Sequence, residues 1–237
     1  LVFYVPDRDV EGSGISDEGI DFAKDNGFSL IIALDCGIKS VDKINYANSV
    51  GVDFIICDHH LPGDELPKAV AVLDPKRKDC RYPYKELSGC GVGFKLYQGL
   101  NTIYKIPESE LFELTDLLAI SIASDIVAMT GENRVLAMQG LKFLRKTRKF
   151  GLRLLIPEEK LAHFEISNIV FDIAPKINAA GRISHAKASV ELMISDNLKQ
   201  AQQIVENIIN LFVYCCFIYF YITQSAMKQA LEMHKTQ

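Results

Sequence analysis

Ile55-Ile56-Cys57-Asp58-His59-His60-Leu61-Pro62 is an apolar run that stops abruptly at a carboxylate and two imidazoles. With Val52 and Phe54 ahead of it, the run reads as an interior strand of a parallel sheet, covered on both faces. The polar triplet then falls at the strand's carboxyl end, where open α/β sheets place their ligands. Asp together with neutral His suits divalent Mn, Fe or Zn better than carboxylates alone would. Adjacent histidines on a surface loop are commonly just solvated, so the triplet carries little weight by itself. Its weight comes from repetition, because apolar runs ending in Asp recur along the chain.

Working outward, Leu30–Leu34 reads as a second buried strand and ends in Asp35-Cys36-Gly37. Ser40 opens a helix to about Ser49, with Ile44 and Ala47 inward and Gly51 closing it. After the loop bearing Pro62, Gly63 and Pro67, Ala69–Leu73 makes a further short strand that ends in Asp74-Pro75-Lys76. At the start of the chain Leu1–Val5 also reads as a strand. The polar loop Pro6–Gly14 follows, and Ser16 caps a helix to about Asn26. Strands alternating with single helices at this pitch imply βαβ units and a parallel sheet flanked by helices.

From Gly89 onward the pattern turns helical. Gly91 opens a helix to about Tyr104, and Glu110 to about Ser124 forms another, with Leu111, Leu114, Leu117, Leu118 and Ile122 on a broad apolar face. Thr130-Gly131 opens a third, to about Arg148. Lys142–Phe150 is a dense basic run, either a solvated helix end whose cations suit the C-terminal dipole or a contact patch for a phosphate backbone. Asp172–Arg182 reads as a loop whose small residues permit close backbone approach and whose Arg182 could hold a phosphate bidentately. Helices from about Ala186 to Met193 and from Leu198 follow. Leu211–Ile222 (LFVYCCFIYFYI) is apolar and uncharged. It is shorter than the roughly 20 residues of a membrane span and lacks the polar period of a soluble helix. A divergent segment is the leading expectation for it, a buried hairpin the second and membrane insertion the third.

The 237 residues suffice for one large core or two modest domains. An apolar fraction of 49% with 24% charged residues excludes a disordered chain. A net charge of −4 supplies no global field for a polyanion, so nucleic acid would need a local cluster or bound cations. The cysteines, Cys36, Cys57, Cys80, Cys90, Cys215 and Cys216, show no CxxC or zinc-ribbon spacing; Cys36 and Cys57, at strand ends, read as small apolar fillers, and a reducing compartment is expected. Leu1–Val5 is too short for the apolar core of a signal peptide and is followed by charge, so a cytoplasmic location is expected, without membrane association. A chain that enters a strand at once, without Met, reads as a fragment.

Three apolar segments thus deliver acids and imidazoles: Asp35, Asp58-His59-His60, and Asp125 in Ala123–Arg134 (ASDIVAMTGENR). At these residues the sequence resembles the DHH phosphoesterase superfamily, and within it the RecJ single-strand-specific DNA exonucleases. The resemblance runs through Pro6-Asp7-Arg8, Glu11-Gly12 and Gly14-Ile15-Ser16, then Asp35–Ile38 (DCGI), Asp58–Lys76 (DHHLPGDELPKAVAVLDPK) and Tyr82–Leu96 (YPYKELSGCGVGFKL). It continues through Ala123–Arg134 and Ala174–Arg182 (APKINAAGR). It implies a parallel α/β part of the DHH domain over residues 1–88, a helical part with connector over 89–200, and an anomalous apolar tail over 201–237.

The resemblance also implies a two-metal phosphodiesterase using Mn or Mg, a single-stranded-DNA 5′-to-3′ exonuclease of recombination and repair. Single-strand-binding protein or a helicase would be its partners. Asp35 would bridge the metals, while His59 and Asp125 would complete the shell of one. Asp58 would orient an imidazole, and His60 would lie near the phosphate or leaving group. Arg8, Asn178 and Arg182 would contact phosphates. Two cations roughly 4 Å apart would activate water and clamp both oxygens of an in-line displacement.

One departure stands out. The family's first motif, Asp-x-Asp-x-x-Gly after a strand, is expected before residue 1, and Asp7–Gly12 reads as a decoy because Pro6 ends the strand ahead of it. The chain is also expected to stop before the family's smaller C-terminal domain. A truncated enzyme, weakly active or inactive alone, is the expectation. Its rivals are a phosphoesterase for short oligonucleotides or cyclic dinucleotides and a non-catalytic DNA-binding scaffold.

Overall fold

Three short strands, β1 (Leu30–Leu34), β2 (Asp53–Cys57) and β3 (Ala71–Leu73), form a parallel sheet in the order β1-β2-β3. The structure, a computed structural model, describes residues 1–183 and 186–234, and no side chains at 182–185, 220–221, 225–226 or beyond 227. The chain divides into two compact units, residues 1–147 with 158–171, and residues 148–157 with 172–237.

In the first unit β2 is central, and its two faces are filled as a parallel interior strand requires. Phe54 and Ile56 pack with Ile20 and Ala23 of α1 (Asp17–Asp25) and with Ile44 and Ala47 of α2 (Val41–Ser49). Ile55 and Cys57 turn to the opposite face, where they pack with Val92 of α3 (Gly89–Tyr104) and with Leu87 just before it. Ser16 caps α1 by accepting the Gly19 N–H at 3.0 Å, as its position predicts.

The register decides where the site lies. Leu34 pairs with Cys57 and Cys57 with Leu73, so the residue after each strand stands at one level of the sheet. Those residues are Asp35, Asp58 and Asp74. The ladder continues into them, because Asp35 N–H donates to Cys57 O at 2.8 Å and Asp58 N–H to Leu73 O at 3.0 Å.

Two expectations for the sheet fail. β1 is an edge strand, and Leu30, Ile32 and Leu34 stay exposed; only Ala33 is fully buried and only Ile31 joins it on the covered face. Residues 1–7 form no strand, since among the described residues no ladder partner meets them. Side chains hold that segment instead. Tyr4 stacks on Phe22 at 5.3 Å, and its hydroxyl donates to Glu11 Oε2 at 2.7 Å. Glu11 also accepts from Ser16 Oγ at 2.6 Å and from Asp7 N–H at 2.8 Å. These donors keep the Glu11 carboxyl below its ordinary range against the opposing effect of burial, and burial with Glu11 beside it pushes the Tyr4 phenol up to about 12.

The helical part differs in its joints. The expected helix Glu110–Ser124 is two, α4 (Glu108–Glu113) and α5 (Thr115–Ser124), divided at Leu114. α6 (Gly131–Leu144) ends before most of the basic run, and Arg145 spends its guanidinium on Phe164 O at 2.9 and 3.2 Å. α5 is apolar around most of its circumference and sits against α6 at Gly140. The short helix α8 (Ile166–Asn168) completes this unit.

The second unit holds α7 (Phe150–Leu155), α9 (Ala174–Ile183), α10 (Lys187–Ile194) and α11 (Leu198–His234). The stretch Asp172–Arg182, expected as a loop, is helical: a π turn over Ile169–Ile173 runs straight into α9. Pro175, which has no N–H to donate, follows directly on that π turn, where the α-helical ladder is already interrupted. Buried Ala179 and Ala180 belong to the helix that packs on α11, so their small size serves helix packing. Leu211–Ile222 lies within α11 and forms no hairpin. Its segment Leu198–Gln224 is long and apolar enough to cross a membrane by length and composition, and Val213, Tyr214, Phe217, Tyr219 and Ile222 are exposed.

A Cβ at Gly140 would stand 2.1 Å from Thr115 O, a contact that backbone atoms cannot relieve by rotating. Gly140→Ala therefore lowers unfolding free energy by about 1–3 kcal/mol despite alanine's better helix propensity, as measured by urea denaturation.

Candidate metal centre

Asp58 is 1% exposed, yet none of its oxygens is idle. Its Oδ2 accepts the Ile38 N–H at 2.9 Å. Its Oδ1 accepts the His59 N–H at 2.7 Å, the His60 N–H at 3.2 Å and the His60 Nδ1 at 2.7 Å. Burial works to raise its pKa, but these donors outweigh burial and hold the carboxyl below its ordinary range. Asp58 is thus a fixed anion that organises the loop carrying both imidazoles.

His59 is 6% exposed and turned the other way. Its Nδ1 meets Leu87 O at 3.0 Å, which fixes the ring and the tautomer with hydrogen on Nδ1. Its Nε2 lies 3.1 Å from Asp35 Oδ1 and 3.5 Å from Asp125 Oδ2, buried and without hydrogen-bond geometry to any partner. Asp35 reaches it from a left-handed backbone, φ 63°, a conformation that Asp tolerates better than most residues. Asp125 arrives as the residue that ends α5. Ligand atoms of Asp35, His59 and His60 all lie within 4.8 Å of one another, an arrangement that could hold a cation. Asp35 raises the His59 pKa most; burial opposes this, Asp125 adds to it, and the net shift is upward.

Several residues at this edge were not singled out by the sequence. Leu87 supplies only a carbonyl. Gly89, in the first turn of α3, sits so close that a Cβ there would stand 2.0 Å from Asp35 Oδ1. The glycine-rich run Ser88-Gly89-Cys90-Gly91 was the available signal for close approach. Asp74 is buried, with Oδ1 accepting the Lys76 N–H at 2.7 Å and Oδ2 without a partner. Burial, and then the neighbouring Asp58, push its pKa up. The Cys36 and Cys57 thiols are pushed up to about 11 by burial and by Asp58, so both are protonated at neutral pH.

Of the other expected phosphate contacts, Arg8 is exposed in a turn, and Asn178 is exposed on α9 in the second unit. The backbone of Arg182 belongs to the same helix, while its side chain lies outside the described residues. Asp7–Gly12 forms the turn bound by Glu11.

A parallel sheet with an Asp-His-His triplet at its carboxyl edge, facing two further aspartates, is the arrangement that the resemblance to DHH domains leads one to expect. The chain belongs to the DHH family: the profile of the DHH family, N-terminal domain, matches residues 1–122. Among curated proteins it is similar to the single-stranded-DNA-specific exonuclease RecJ of Bacillus subtilis (strain 168), with 41% identity over 211 residues, 87% of this chain and 26% of that protein. It is also similar to the RecJ exonuclease of Escherichia coli (strain K12), with 36% identity over 215 residues, 84% of this chain and 37% of that protein. The crystal structure of exonuclease RecJ bound to manganese superposes with a TM-score of 0.84 at 28% identity, covering 95% of this chain and 57% of that one. RecJ of Thermus thermophilus in complex with Mn2+ gives a TM-score of 0.78 at 28% identity, covering 90% and 32%. The chain therefore spans well under half the length of these curated relatives.

Two measurements test the geometry. Gly89→Ala should lower the melting temperature, because Asp35 Cβ at 2.6 Å cannot rotate away from the added methyl, and calorimetry should show Mn2+ affinity reduced by about 10-fold or more as Asp35 is displaced. The second concerns pH. A His59 pKa raised above 6.5 in the chelated protein contributes stability that is present below pH 6.5 and fades as pH rises through the folded value. The gap in melting temperature between parent and His59→Gln should narrow accordingly, and Mn2+ affinity should rise over the same interval because the cation displaces that proton.

Proposed function

We propose that this chain forms the cation-binding part of a single-stranded-DNA exonuclease of the RecJ type, a cytoplasmic hydrolase of phosphodiester bonds acting 5′-to-3′ in recombination and repair. The observation that carries the proposal is His59 Nε2, a buried nitrogen fixed by its ring partner and facing two carboxylates without a hydrogen bond to either. A divalent cation is the species that satisfies all three groups together. Oxygen and imidazole donors beside protonated thiols suit Mn2+ or Mg2+, and relatives of this chain are described in complex with those ions.

In this reading Asp35, His59 and Asp125 hold the cation, with Asp35 able to bridge to a second. The bound cation would lower the pKa of water and draw charge from the phosphate. The rest falls to the chain's own side chains. Leu87 O holds the His59 proton on Nδ1 and keeps Nε2 aimed at the two acids. Asp58 fixes His60 through Nδ1, leaving an exposed ring edge to hold or deliver a proton at a phosphate oxygen. Arg8, Asn178 and Arg182 are proposed contacts to the phosphates of single-stranded DNA, with Arg182 offering a bidentate grip. Single-strand-binding protein or a helicase would present that strand.

Calorimetric Mn2+ titration and digestion of end-labelled single-stranded DNA test the proposal together. Asp125→Ala and His59→Ala should each weaken Mn2+ binding by more than about 100-fold, beyond what losing an outer partner does, and abolish any cleavage the parent shows. Cleavage undiminished in Asp125→Ala would overturn the assignment.

A further inference from the structure

Asp125 is followed by a residue in an unfavourable conformation. Ile126 has φ 55°, an outlier for a β-branched side chain, and it is 86% exposed, so packing of its own does not hold it there. Such a conformation persists only where the surroundings over-determine it. Here they do so through two residues downstream, at Ala128. Its carbonyl accepts the Asn133 Nδ2 at 3.0 Å and the Tyr84 hydroxyl at 3.1 Å. The Tyr84 hydroxyl shares its one proton between Ala128 O and Thr130 O, the latter at 2.8 Å, and its ring lies so near Gly131 that a Cβ there would stand 2.6 Å away.

The same Asn133 amide has a second target. Nδ2 donates to Glu86 O at 2.5 Å, and the next residue along the chain, Leu87, supplies the carbonyl that fixes His59 Nδ1. Asn133 is 0% exposed, its Oδ1 meets no partner among the described residues, and its Nδ2 donates to both carbonyls. One planar amide therefore ties the turn behind Asp125 to the segment that orients His59. Tyr82 donating to Glu132 Oε2 at 2.6 Å runs alongside as a parallel strut.

We propose that Asn133 is a positioning residue: by bridging Glu86 O and Ala128 O it sets the separation between the His59 imidazole and the Asp125 carboxylate, with Tyr84 holding the same turn from its other side. The proposal rests on the reading of Asp35, His59 and Asp125 as a cation site, and it adds the element that keeps two of the three in register. Removing the amide donors takes this partner from Glu86 O and leaves Ala128 O held by Tyr84 alone, so that the Ile126 turn relaxes toward an ordinary conformation and carries Asp125 away from His59.

Asn133→Asp differs by one atom and removes the donors. Tyr84→Phe removes only a hydroxyl from a partly exposed ring, and so keeps the test alive if the buried aspartate prevents folding. Two readouts apply to the full chain. The first is the pair of 15N ring shifts of His59 in chelated protein, at a pH where the imidazole is neutral. The parent should show a single tautomer with hydrogen on Nδ1, and the variants exchange between both tautomers. The second is Mn2+ affinity by calorimetry, expected to fall about 10-fold or more in Asn133→Asp and several-fold in Tyr84→Phe. Ile44→Val, a core truncation on α2 that touches neither α5 nor α6, should change neither. Variants that fold with the parent's His59 shifts and the parent's Mn2+ affinity would overturn the proposal, as would an Ile44→Val control that changes as much as they do. A parent chain that binds no Mn2+ refutes the cation reading instead, and the His59 shifts then decide the tie alone.

Discussion

Three aspartates stand side by side at one level of a three-stranded parallel sheet, and the register of that sheet allows no other outcome. Adjacent strands lie about 4.8 Å apart, and like charges at that spacing in a partly buried edge repel strongly enough to shift ionisation. The three avoid the conflict by taking different environments. Asp58 collects donors from Ile38, His59 and His60 and remains an anion. Asp74 has one donor and a partnerless oxygen, and its pKa moves up. Asp35 leaves the row through its left-handed backbone and faces His59 across from Asp125. One central carboxylate saturated by the protein thus frees an outer one to face outward.

This division of labour explains why the sheet edge was legible in the sequence while its supports were not. An apolar strand ending in a polar residue is a local pattern, and it located Asp35, Asp58, His59 and His60 at strand tips. Asp125 was legible for the same reason at the end of an apolar helix. Leu87 acts through a backbone carbonyl, to which side-chain identity contributes nothing. Asn133 acts across 47 residues of chain on Glu86, and no spacing rule relates positions joined only by tertiary packing. Asp74 was visible as a strand end, but its distinct protonation tendency comes from the burial of one oxygen.

The misreadings share a physical cause. Leu30–Leu34 has the composition of a strand covered twice, yet in this fold one of its faces stays largely exposed and, among the described residues, one of its edges meets no strand; composition reports what a surface would accept. The small side chains of Ala179, Ala180 and Gly181 suggest a loop because they allow close approach. They allow it equally to a neighbouring helix, and Pro175 follows a π turn that already departs from the α-helical ladder. The basic run looked uniform in sequence, but Arg145 is already engaged with Phe164 O and Lys146 lies over the Phe143 ring at 4.6 Å. Formal charge overstates what remains to meet a phosphate backbone.

Strain is concentrated where the proposed ligands are delivered. Among the described residues that are not glycine, positive φ occurs at Asp35, Lys105 and Ile126. Lys105 ends α3, where a left-handed cap is ordinary. The other two are a proposed ligand and the residue directly after one. A strand continued in relaxed geometry would point the Asp35 side chain to one face of the sheet. Its left-handed backbone turns it onto the imidazole that Asp125 also faces. The cost, about 1–2 kcal/mol at a residue such as Ile126, has to be met by neighbouring contacts. It is met at Asp35 by the ladder bond to Cys57 O and at Ile126 by the paired donors on Ala128 O. The site is therefore best described as a strained arrangement held from behind, in which the residues that grip the backbone matter as much as those proposed to hold a cation.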